Sequence, residues 1–90
     1  MKLTLLVRAY CHLCEQMSED LAPLLASCDA TVELLDVDAD PALEARWGDK
    51  VPVLLGGARE LCHYRLDASA VLRWLAQTSN CSLALIREIG

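Results

Sequence analysis

A strand-like run, Lys2–Val7, leads within four residues into Cys11-His12-Leu13-Cys14, and from there the sequence takes on a helical period. Leu13, Met17, Leu21, Leu24 and Leu25 recur at three- and four-residue steps, which predicts a helix from Cys11 or His12 to about Ser27. This junction constrains both fold and chemistry. The first turn of a helix has backbone N–H groups without partners and carries the positive end of the helix dipole. A thiolate placed there is stabilised, so its pKa falls below the ~8.5 of a free cysteine. Thiolate is the species that attacks a disulfide. Cys11, at the exposed end, is the expected nucleophile, and Cys14, one turn on, the expected resolving residue.

The rest of the chain alternates in the same manner. Pro23 predicts a kink or break inside the first helix, and Cys28-Asp29-Ala30 reads as a turn. Thr31–Asp36 reads as a second strand. Asp40 is a candidate N-cap, with Pro41 at the first helical position of a short helix that carries Leu43 and Trp47 and stops at Gly48. Val51–Leu55 reads as a third strand, Gly56-Gly57 as a tight turn, and Arg59–His63 as the returning strand of a hairpin. Asp67 caps a last helix through Gln77 with Ala70, Val71, Trp74 and Leu75 on its inner face. Ser79–Gly90 is expected to form a final helical turn or a packed extension. The order β-α-β-α-β-β-α predicts an α/β fold over a single domain, residues 1–90. A right-handed crossover makes the first two strands parallel and the hairpin adds the last two antiparallel. The expected product is a four-stranded mixed sheet in the order second-first-third-fourth with helices on both faces.

Composition narrows the partners. The net charge is −5, without a Lys/Arg cluster, which argues against a phosphate backbone as ligand. No apolar run is long enough to span a bilayer. Met1–Val7 lacks the apolar core and cleavage site of a signal peptide. A cytoplasmic monomer with no nucleic-acid or membrane partner is therefore expected. With no Phe, the core falls to Leu, Val and Ala. The five cysteines, Cys11, Cys14, Cys28, Cys62 and Cys81, are an odd number, which argues against a structural disulfide framework. Cys28 and Cys81 read as small packing or turn residues. Cys62, beside His63, reads as structural, with a resolving thiol or metal ligand as the alternative. Arg8 and His12 are candidates to stabilise the Cys11 thiolate, or else solvated surface side chains.

Four features resemble the glutaredoxin and thioredoxin superfamily, especially small bacterial glutaredoxin-like proteins. They are Arg8 three residues before the first cysteine, C-H-L-C at Cys11–Cys14, Val51-Pro52, and Gly56-Gly57, in order over about residues 2–77. The resemblance implies the minimal thioredoxin fold and a thiol–disulfide oxidoreductase acting on protein or glutathione disulfides. It implies no bound cofactor, with glutathione as a potential co-substrate. It implies a cis Val51–Pro52 bond whose backbone pairs with an extended substrate. Arg8, Tyr10, His12, Val51, Pro52 and Asp67 make up the expected substrate-binding set, and no metal site is expected. The chain departs from the family at His12-Leu13, where Pro-Tyr is usual. It departs again at Cys62-His63-Tyr64-Arg65-Leu66, where a Gly-Gly and an acidic residue usually serve glutathione, leaving Asp67 as the acidic match. The competing reading is a soft-metal carrier that binds copper or zinc through the same thiols. Such domains run β-α-β-β-α-β and have no use for Val-Pro.

Overall fold

Leu3, Leu5 and Leu6 of the first strand, β1 (Lys2–Val7), expose no surface at all. Neighbouring residues of a strand point to opposite faces, so two consecutive buried leucines require cover on both sides. The computed structural model, which describes residues 2–26, 28 and 30–78, supplies that cover. Leu3 and Leu5 pack with Met17 and Leu21 of α1 (His12–Leu25) and with Val71 and Leu75 of α3 (Ala68–Thr78). Leu6 packs on the other face with Val37 and with Trp47 of α2 (Pro41–Trp47).

The sheet order is β2-β1-β3-β4, with β2 spanning Thr31–Asp36, β3 Val53–Gly56 and β4 Arg59–His63. β2 runs parallel to β1, β3 antiparallel to β1, and β4 antiparallel to β3. This is the expected mixed sheet in the expected order. The two helix starts named from the sequence are capped as expected. Asp40 Oδ1 accepts from the Ala42 N–H at 2.9 Å and Asp67 Oδ1 from the Ala70 N–H at 3.2 Å. Each cap satisfies a first-turn donor.

The details differ from the sequence expectation in four places. α1 runs through Pro23 without a break and ends at Leu25, two residues before Ser27. The proline lies so near the end that its missing N–H removes one bond from the last turn only. Short 3-10 turns, Val37–Ala39 and Gly48–Lys50, flank α2. β3 begins at Val53 rather than Val51. Gly56 pairs with Arg59 inside the ladder, so the hairpin turn is Gly57-Ala58. Gly57 takes φ +63°, a conformation that suits a residue without Cβ. Gly56 is needed for a different reason: a Cβ there would lie 2.5 Å from the Trp74 ring. The expectation for Ser79–Gly90 falls outside the described residues, as does Asp29 of the predicted turn.

Candidate active site

Cys11 sits at the N-cap of α1 in extended conformation, φ −105° and ψ 105°. Its Sγ takes the place that a Ser or Asp oxygen commonly holds and accepts from the Cys14 N–H at 3.1 Å. The first-turn donor that the sequence points to is thus aimed at the sulfur. Cys11 and Cys14 are joined by a disulfide with Cα atoms 5.2 Å apart, inside the ordinary range. Cys11 is half-buried, whereas Cys14 lies inside the core at 4% exposure. The first sulfur of the pair is the accessible one.

The sheet register sets what lies beside this pair. Leu6 of β1 faces Val53 of β3. One step further, Val7 and Pro52 are level, at the end of the sheet from which the chain leaves for Cys11. The Val51–Pro52 peptide bond is cis, Pro52 is buried, and its carbonyl accepts from the Tyr64 N–H at 2.9 Å. Val51 is half-exposed and extended, with φ −62° and ψ 144°. The other side of the pair is a groove of about 580 Å3 between α1 and the β2 edge, lined by Tyr10, Cys11, Cys14, Glu15, Glu19 and Leu34 among others.

The other expected site residues are placed as follows. Tyr10 is fully exposed and has φ +58°, a left-handed conformation that bulky residues seldom hold. His12 is exposed at the first helical position. Arg8 reaches the groove wall, but its guanidinium is engaged elsewhere. Nε donates to both Asp38 oxygens at 3.0 and 3.2 Å, Nη2 to Glu44 at 2.9 Å, and Nη1 to the Gly48 carbonyl at 3.3 Å. Its charge is therefore matched twice over, and it ties the end of β1 to the segment around α2. Asp67 lines a separate groove with Arg59, Arg73 and Trp74, one that Cys11 and Cys14 do not line, and its carboxylate caps its own helix. The structure thus gathers Arg8, Tyr10, Cys11 and Cys14 along one groove and leaves Asp67 outside it.

Residues 2–76 match the family described as Glutaredoxin-like domain. The chain belongs to that family. An uncharacterised protein of Mycobacterium tuberculosis is 35% identical to this glutaredoxin-like chain over 68 residues, 70% of each protein. Among solved structures, a Nitrosomonas europaea protein shares 35% identity and a TM-score of 0.73, covering 81% of this chain and 88% of that one. An X. campestris protein shares 39% identity with a TM-score of 0.65, covering 87% and 96%. Thioredoxin 1 of Thermosipho africanus shares the fold, at 20% identity, a TM-score of 0.58, and coverage of 87% and 98%.

The remaining cysteines of the glutaredoxin-like domain divide cleanly. Cys28 is half-buried against the core, as a packing residue is expected to be, and is also disulfide-bonded. Cys81 lies outside the described residues. Cys62 is a free thiol packed among Leu3, Leu5, Met17 and Leu54. Burial pushes its pKa up, a backbone hydrogen bond from Asp67 pulls it down, and the charges of Asp67 and Glu60 push it up again. At neutral pH it is a protonated core side chain. With Cys11–Cys14 oxidised, native Cys62 should alkylate at least about tenfold more slowly at pH 7 than in urea. Equal rates would contradict its placement. The raised folded value stabilises the protein below the ordinary thiol pKa, and that contribution is lost as pH rises through the folded value.

Sequence reasoning missed Glu15, Glu19 and Leu34 as neighbours of the pair. The spacing of Glu15 and Glu19 was available, since residues four apart on a helix share a face. Leu34 gave no such signal, because an apolar residue in a strand reads as inward-facing.

Proposed function

We propose that this glutaredoxin-like domain is a thiol–disulfide oxidoreductase that exchanges disulfides with protein or glutathione disulfides. The observation that carries the reading is Cys11 at the helix N-cap, half-exposed, with the Cys14 N–H directed at its sulfur. In the reduced protein the same donor and the helix dipole favour the Cys11 thiolate. That thiolate attacks one sulfur of a substrate disulfide, forms a mixed disulfide and expels a thiolate, which takes up a proton. Cys14 then gives up its proton and attacks the Cys11 sulfur. This forms the intramolecular disulfide and expels the second substrate thiolate. Two electrons and two protons pass from the protein dithiol to the substrate.

Val51, half-exposed and extended directly before the cis Pro52, suits strand addition of an extended substrate backbone beside the reacting sulfurs. The alternative metal carrier gains nothing from the fold, because α2 separates β2 from β3 and the described chain follows a different element order from such carriers. A monomer in a reducing cytosol is the setting this chemistry suits. Pre-reduced protein mixed with hydroxyethyl disulfide, a small neutral substrate, should release mercaptoethanol and end with Cys11–Cys14 oxidised. No release above the rate of a simple thiol would count against the proposal.

A further inference from the structure

Glu15 and Glu19 stand one turn apart on the wall of the Cys11–Cys14 groove, both exposed. Like charges at that spacing repel, and a cation between them relieves the repulsion. Arg8, the basic side chain among the described residues lining the groove, is already matched by Asp38 and Glu44. The groove therefore keeps a negative balance. Its apolar parts are just as open. Leu34 faces the same side of the sheet as its partner Leu5, but β2 is the edge strand and leaves it 58% exposed. Tyr10 stands fully exposed on a left-handed backbone directly before Cys11, a conformation that costs on the order of 1 kcal/mol or more and gathers at functional sites. Two exposed apolar side chains and two carboxylates without an ion pair among the described residues thus flank one accessible sulfur.

Resting on the redox reading above, we propose that this groove selects polypeptide disulfides carrying lysine or arginine beside an apolar residue, in preference to glutathione disulfide. The apolar neighbour of the substrate cysteine packs on Leu34 and Tyr10, and its basic residues face Glu15 and Glu19. Glutathione disulfide is anionic and has no apolar side chain to offer. The Arg8 guanidinium, which could receive a glutathione carboxylate, is committed to Asp38 and Glu44, and Asp67, whose carboxylate could receive the ammonium, caps α3 in another groove. The same charge balance steers a basic partner toward the sulfur and turns an anionic one away. The chemistry is unchanged: the Cys11 thiolate opens the peptide disulfide, Cys14 closes on Cys11, and the peptide leaves as a dithiol with two electrons and two protons gained.

The test uses pre-reduced full-length protein in single turnover with two cyclic disulfide peptides of equal length. Both carry Leu beside one cysteine, and they differ only in two Lys or two Glu at the flanking positions. The Lys peptide should react about tenfold faster at low ionic strength, and the advantage should fall to about twofold or less in ~0.5 M salt. In the double variant Glu15→Gln/Glu19→Gln the ratio of the two rates should approach one. The ratio is the readout because it cancels any change in thiolate reactivity caused by removing Glu15. Equal rates in the native protein, or a preference that survives the double variant or high salt, would overturn the proposal. Hydroxyethyl disulfide in parallel separates the two levels. Turnover of it without a peptide preference overturns the groove assignment alone, whereas no turnover of any disulfide overturns the redox reading and this proposal with it.

Discussion

Replacing Cys11 by serine is expected to lower disulfide exchange by about a thousandfold or more, because a hydroxyl at that position supplies no thiolate at neutral pH. The loss should be complete within assay background, since the other thiols are poorly placed to substitute. Cys14 is buried at 4% exposure and Cys62 is packed in the apolar core. Cys14→Ser should behave differently. Its first attack remains, so Cys11 should become trapped as a mixed disulfide, visible by mass spectrometry as one substrate adduct per chain. Catalysis would then stall for want of a thiol one turn away. The opposite pattern, with the adduct forming on Cys14 in the Cys11→Ser protein, would reverse the roles assigned to the pair. A further prediction concerns stability rather than chemistry. Leu5→Ala is expected to cost about 2–5 kcal/mol, since it opens a cavity at a fully buried site in the sheet's interior strand. That is a large share of the ~5–15 kcal/mol that holds a small domain folded. Urea unfolding should show a much lower midpoint with little change in slope. Leu34→Ser, on the exposed edge, should stay within about 0.5 kcal/mol of the parent. Similar losses at both positions would contradict the burial pattern that defines the groove.

The contrast between Leu5 and Leu34 also shows what can be read from sequence. The bounds of β1, β2 and β4, the start of α1 and both aspartate caps were legible because each rests on local rules: alternation, helical period and side-chain capping. The strand order followed from the crossover and the hairpin. What depended on distant partners was hidden. Leu34 reads as core, and only its place on an edge strand leaves it bare. Arg8 reads as a cation available to a thiolate, yet residues 30 to 40 positions away, Asp38, Glu44 and the Gly48 carbonyl, claim it. Asp67 was found as a cap but not as a residue of another groove. The hairpin turn falls one residue later, and Gly56 serves instead beneath the Trp74 ring, a tertiary demand that Gly56-Gly57 does not reveal. The left-handed backbone at Tyr10 has no sequence signal, since nothing about tyrosine favours it.

The central claim is that Cys11–Cys14 is a working redox couple rather than a permanent staple. Equilibrating the protein in dithiothreitol buffers of graded ratio, trapping thiols with acid and an alkylating agent, and weighing the peptide that spans both cysteines measures this directly. The account predicts one reversible two-electron transition, with the midpoint above about −300 mV, where catalytic pairs lie. A pair that stays oxidised until below that value, where structural disulfides sit, or that cannot be re-oxidised once reduced, would contradict it.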